Sequence, residues 1–308
     1  MPTSNYATSV HPARPAHPAT PSAPDRRRSD LILFMVIAFG VSWVSWSAAI
    51  GIGGEAMKSP AALPYLVGAF GPLIGALVIR VRRRRRGEPV PEHAVRFRRS
   101  TLFWAPLLLV LASASVLSAA LLAHEAGGPA LSWEGAKDVM NDMGGPAAFL
   151  VSMVISGPLS EEPGWRGTAY PRMRASMGRL QVGLVLGVIW AVWHLPLFFI
   201  DGTPQKELGL NTPGGVLFAV STIPMAMLTA SAYERAGVVA SIAVHFAVNT
   251  TMVLLDVKVP VTQAMIIGIQ AIVAVLLLAT SRPASGPAPT APTAPTAPAT
   301  PADGAVRA

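Results

Sequence analysis

Eight apolar runs, at 31–53, 61–81, 102–123, 146–159, 182–200, 216–232, 238–255 and 265–280, follow one another along the 308-residue chain. Most approach the roughly 20 residues a helix needs to cross the hydrocarbon core of a bilayer. The fourth is short, and reaches that length if its helix continues through Glu161 and Glu162 toward Tyr170. Hydrocarbon offers no water to backbone N–H and C=O groups, so a chain built from such runs must satisfy them within helices. Composition agrees: 52% of residues are hydrophobic, 13% are charged and the mean hydropathy is +0.48, well outside the range of a soluble domain. The expected fold is all-α, a polytopic membrane protein of about eight transmembrane helices.

The flanks differ in kind. Residues 1–29 are rich in Pro, Ala and Ser, and residues 283–308 repeat Ala-Pro-Thr. Neither carries an apolar period that could build a core, so both are expected to be disordered tails around a membrane domain at 30–282. Arg26–Arg28 ahead of the first run, with Ser47-Ala48-Ala49 inside it, resembles a signal peptide. The run's length and its tryptophans favour a retained first span. There is no cysteine, which removes thiolate chemistry, Cys-rich zinc sites and disulfides.

Charge then orients the spans. With the N-terminus in the cytoplasm, the eight-span count puts every arginine on or toward that side and the four lysines, Lys58, Lys137, Lys206 and Lys258, in outer loops. This is the asymmetry of the positive-inside rule, and it predicts a multi-pass plasma-membrane protein with both termini cytoplasmic. The net charge of +8 is therefore assigned to membrane lipids, with Arg82–Arg86 against anionic head groups, and no nucleic-acid partner is expected.

Against this background three polar clusters stand out: Glu161-Glu162 with Arg166, then His194, then His245 with Asn249. An ionisable group at membrane depth costs about 2.5–3.5 kcal/mol even on lenient scales, so such groups pair or perform chemistry. Counted along helices from the cytoplasmic side, Glu161, His194 and His245 lie about 14, 20 and 14 Å deep, which predicts that they converge. Glu162 and Arg166 are four apart and suit an ion pair, leaving Glu161 free as a base. His245 and Asn249 share a helix face, where an imidazole can hold water and a carboxamide can donate to an oxyanion. Pro163-Gly164 is expected to kink the helix and open the pocket to water. Trp190, one turn before His194, is expected to pack over that imidazole, while Trp165 and Trp193 fit either a pocket or a membrane interface.

These residues, read as Glu161-Glu162-x-x-x-Arg166, Trp190-x-x-x-His194 and His245-x-x-x-Asn249, resemble the CPBP family of intramembrane proteases, also called the CAAX-processing or Abi family. The resemblance covers about 144–255, with Trp190 where the family usually has Phe. It implies an intramembrane endopeptidase of glutamate or metalloprotease type, acting on a membrane-associated or lipidated substrate. Glu161 would be the general base that activates water, His194 and His245 would hold that water or a metal, Asn249 would be the oxyanion donor, and Glu162 with Arg166 the supporting pair. A Zn2+ ion on His194 and His245, completed by Glu161 or Glu162, is one version of that site; His-Glu-x-x-His is absent and the metal stays open. Two other readings stand beside the protease: a proton-coupled transporter, against which the lack of an internal repeat counts, and a non-catalytic scaffold or immunity protein of the same family.

Overall fold

The computed structural model describes residues 24–88 and 99–280, and the regular structure in them is helical. In chain order the elements are α1 (Pro24–Ile52), α2 (Ala62–Ala69), α3 (Gly71–Arg85), α4 (Arg99–Glu125), α5 (Trp133–Asp142) and α6 (Pro146–Val154). A kinked turn (Ile155–Leu159), α7 (Ser160–Gly164), a π-helical turn (Trp165–Ala169) and α8 (Tyr170–Met173) follow α6 in the chain. After α9 (Arg179–Trp193) come a 3-10 turn (Leu195–Phe199), α10 (Pro204–Leu208), α11 (Pro213–Ala236), α12 (Val238–Leu254) and α13 (Pro260–Thr280).

Local chemistry sets many of these boundaries. Proline sits in the first turn of α3, α6, α10 and α11, where its missing N–H is not needed. Thr212 caps α11 by accepting from the Gly215 N–H, and Gly237 closes it at a φ of 80°.

Among the described residues, five helical segments are long and apolar enough to cross a membrane: Arg26–Ile52, Arg99–Glu125, Arg179–Phe199, Pro213–Ala236 and Pro260–Leu278. The bent pairs Ala62–Ala69 with Gly71–Arg85 and Glu134–Asp142 with Pro146–Met173, turned by 49° and 76°, raise the number to seven if each is one span. The remaining expected span, 238–255, falls on Val238–Leu254, a shorter apolar helix of 17 residues. Helix α1 starts at Pro24, so the expected tail boundary at residue 29 moves back; residues 1–23 and 281–308, where the two tails were expected, lie outside the described residues.

Two ends with different charge chemistry emerge from the packing. At one, buried Asp30 of α1 meets Arg86 at 2.7 Å, Arg82 at 3.4 Å and Arg172 at 3.7 Å, while Glu234 of α11 meets Arg179 at 2.7 Å and Arg174 at 3.4 Å. At the other ends of these helices the pairs are lysine pairs: Lys58 with Glu55, Lys206 with Asp201, and Lys258 with Asp256 and Glu207. The arginine and lysine separation expected from the sequence is thus a property of the folded bundle.

Helices α9, α11, α12 and α4 pack side by side, with α1 and α3 against α7 and its flanking turns. Hydroxyls stitch the first group together: Thr222 donates to Gly187 O at 3.0 Å, Ser241 to Thr229 O at 2.9 Å and Thr101 to Ala236 O at 3.1 Å. Contact between α7 and α3 depends on Gly164, where a Cβ would lie 2.6 Å from Pro72 Cβ and O. Trp165 and Trp193 are fully buried, the first against Phe34 and Phe39 and the second against Trp46 and His194. Both are part of the buried core.

Candidate active site

The run from 146 to 173 supplies the carboxylates, and its backbone is broken just before them. Ser156 (φ −84°, ψ 80°) and Gly157 (φ 128°, ψ −84°) leave the helical region, and Pro158 follows without an N–H. Only glycine adopts the Gly157 angles without heavy strain. Ser160 holds the break closed on itself, accepting from the Gly157 N–H at 3.1 Å and donating to Gly157 O at 3.3 Å. The kink expected at Pro163-Gly164 is therefore displaced to Ser156-Gly157. Backbone angles remain helical at Gly164 and Trp165, and the Pro163 carbonyl accepts from Thr168 Oγ1 at 3.0 Å.

Restarting at Ser160, α7 carries Glu161 and Glu162 into the core, where they are 6% and 0% exposed. Glu162 Oε1 accepts from Arg166 Nη1 at 3.0 Å and from His245 Nδ1 at 2.8 Å. The expected Glu162–Arg166 pair is present, with both side chains fully buried, and it is tied to the second histidine. Glu161 takes a different partner: its Oε2 accepts from the indole N–H of Trp190 at 2.6 Å. Glu162 Oε2 and Arg166 Nε and Nη2 are buried with no hydrogen-bond partner among the described residues.

The hydrogen bonds of the two histidines fix their tautomers. A carbonyl or carboxylate oxygen can only accept, so Nδ1 of His194 donates to Trp190 O at 2.8 Å and Nδ1 of His245 donates to Glu162 Oε1. In a neutral imidazole held this way, Nε2 is left as an acceptor. His194 is boxed by Trp190, Trp193 and Phe218, with ring centroids 5.7, 4.8 and 5.3 Å away.

Three of these groups converge on one small space. A Cβ placed on Gly157 would lie 3.5 Å from Glu161 Oε1, 3.6 Å from His245 Nε2 and 3.6 Å from Asn249 Nδ2. A carboxylate oxygen, an imidazole nitrogen and an amide donor therefore face the spot that glycine leaves open. Of the residues singled out from the sequence, Glu161, His245 and Asn249 meet there, Glu162 and Arg166 stand behind His245, and His194 stands beside them across Trp190. Gly157, Ser160 and the donor role of Trp190 were missed. The Gly157-Pro158 pair inside an apolar run was the available signal, since that dipeptide marks a break.

Among the described residues no three His, Asp or Glu side chains are arranged to hold an ion. Glu162 Oε1 is engaged by Arg166 and His245 and Glu161 Oε2 by Trp190, which leaves Glu161 Oε1 and the two Nε2 atoms as the open acceptors.

A helical membrane bundle with a buried carboxylate and imidazole site is the class these observations define. Residues 143–251 match the family model described as type II CAAX prenyl endopeptidase Rce1-like, a segment that holds every motif residue named above. The chain is also similar to CAAX prenyl protease 2 of Methanococcus maripaludis, with 26% identity over 155 residues, 49% of this chain and 56% of that protein. It thus spans little more than half the length of this curated relative. Over residues 143–251 this chain is thus similar to the CAAX protease family.

Proposed function

We propose that this chain is an intramembrane endopeptidase that hydrolyses a peptide bond in a membrane-associated, lipid-bearing protein, with water activated by Glu161. The observation that carries the reading is the meeting of Glu161 Oε1, His245 Nε2 and Asn249 Nδ2 around the open side of Gly157. Water in that space donates one proton to Glu161 and is oriented by the His245 lone pair. As its oxygen bonds to the scissile carbonyl carbon, the O–H bond breaks and Glu161 takes the proton. The charge that builds on the carbonyl oxygen is met by the Asn249 N–H. Collapse of the tetrahedral intermediate breaks the C–N bond, and Glu161 returns its proton to the leaving nitrogen. Glu162, held by Arg166, keeps His245 in the tautomer whose Nε2 faces the water. His194, fixed through Nδ1 on the Trp190 carbonyl, stands on the other side of the Trp190 ring from this space.

In this reading the arginine end of the bundle faces the cytoplasm of a plasma-membrane protein, and exposed Arg80, Arg84 and Arg85 lie among anionic lipid head groups. The test uses purified protein in lipid nanodiscs with prenylated and unmodified membrane-anchored reporter peptides, scored by mass spectrometry for a new terminus. Cleavage that falls by about 10²-fold or more in Glu161→Gln is the expected result, the range of a lost general base. Undiminished cleavage in Glu161→Gln overturns the mechanism, and proton-driven uptake into liposomes without cleavage overturns the class.

A further inference from the structure

We propose that Trp190 is a positioning residue for Glu161: its indole N–H holds Oε2, so that Oε1 is the oxygen left to face the reacting water. The inference rests on the protease reading for its catalytic consequence and on geometry for its structural one. Trp190 is 3% exposed and its N–H is a donor without acceptor capacity, while the Glu161 carboxylate is a buried acceptor. At 2.6 Å each satisfies the other. Aromatic packing alone does not produce such a bond: Trp165 and Trp193 are equally buried, and their Nε1 atoms have no hydrogen-bond partner among the described residues.

The rest of the indole is engaged by the same site. Arg166 Cζ lies 4.3 Å over the ring, the ring meets the His245 imidazole edge-on at 5.3 Å, and the Trp190 carbonyl accepts from His194. A cation over the ring face draws electron density from it and strengthens the N–H as a donor. One residue therefore touches both carboxylate systems, Glu161 through its N–H and Glu162 through the Arg166 they share. A phenylalanine at 190 would keep a ring face and edge and lose the donor. The N–H is what gives Glu161 a defined rotamer, with its oxygens assigned to different tasks.

Two replacements separate the donor from the ring. Trp190→Phe removes the N–H and shrinks the ring; the benzothienyl analogue of tryptophan at the same position replaces N–H by sulfur at nearly constant shape. Both are expected to keep KM within about twofold and to lower kcat tenfold or more, with the unfolding temperature of the benzothienyl variant unchanged. Wild-type kcat in the benzothienyl variant overturns the proposal, including when Trp190→Phe is slow, because ring size would then be the cause. A second readout does not depend on catalysis: the 15N-indole resonance of Trp190, identified by its loss in Trp190→Phe, should move upfield in Glu161→Leu. An unmoved resonance sinks the hydrogen bond itself. Full activity in Glu161→Gln with a moved resonance would instead remove the protease mechanism and leave the pairing standing.

Discussion

His245 donates through Nδ1 to the same Glu162 oxygen, at 2.8 Å, that accepts from Arg166 at 3.0 Å. Two buried groups are thereby held by one atom, and the orientation of the imidazole depends on a charge pair that is itself sealed from water. Replacing Glu162 by Gln leaves a fully buried guanidinium without its counter-charge, which costs about 3–5 kcal/mol. It also lets the amide donate to His245 and reverse its tautomer. Glu162→Gln is expected to unfold at lower temperature in detergent and, where still folded, to turn over on the order of 10²-fold more slowly. Unchanged kcat in a destabilised variant would reduce Glu162 to a structural pair.

Gly157 makes a sharper case, because the added atom is small. A methyl group there would sit 3.5–3.6 Å from all three facing polar atoms, ordinary contact distances, so it would occupy the water position without a clash. The backbone penalty at a φ of 128° is about 1–3 kcal/mol. Gly157→Ala should therefore lose some thermal stability and lose activity out of proportion to it. Full activity in folded Gly157→Ala would mean that the reaction occurs elsewhere.

How far these relationships could be read from the chain follows from their geometry. Positions four apart on one helix meet by construction, so the Glu162–Arg166 pair and the shared face of His245 and Asn249 were legible. The apolar runs were equally legible, because a bilayer permits only helices there. The break was misplaced for a definite reason. Pro163 falls in the first turn of a helix that restarts at Ser160, where most N–H groups have no intrahelical partner anyway. Gly157-Pro158, at the end of a run that looked too short, was the actual discontinuity. Long-range partners left no trace at all: nothing in local spacing links Trp190 to Glu161, 29 residues away, or His245 to Glu162, 83 residues away.

Asn249 offers only its carboxamide to the site, at 3.6 Å from the Gly157 Cβ position. Asn249→Ala is expected to lower kcat by about 10²–10³-fold with little change in KM, the signature of a donor used only as the oxyanion forms. A rise in KM with unchanged kcat would place Asn249 in substrate binding instead.

The donor arrangement also makes a prediction about metals. With no three-residue ion site among the described residues, turnover is expected to persist after dialysis against EDTA or 1,10-phenanthroline, with sub-stoichiometric metal by mass spectrometry. Loss of activity under chelation, reversed by added Zn2+, would require both histidines and a carboxylate to regroup around an ion.

Orientation can be tested on this chain with unusually little background, since it contains no cysteine to compete with an introduced one. Arg84 is exposed at the arginine end of the bundle, in the last turn of the Gly71–Arg85 helix, and Lys206 lies at the opposite end, paired with Asp201 at 3.5 Å. If arginine retention sets the topology, Arg84→Cys should react with a membrane-impermeant maleimide only after the membrane is opened, and Lys206→Cys in intact cells. The reverse pattern would place the arginine crown outside. Each arginine close to an anionic surface contributes about 1 kcal/mol, so the paired change of Arg84 and Arg85 to Gln should also weaken binding of anionic lipid to the purified protein by roughly 30-fold. Equal lipid binding in wild type and the double variant would leave the positive end as a retention signal alone.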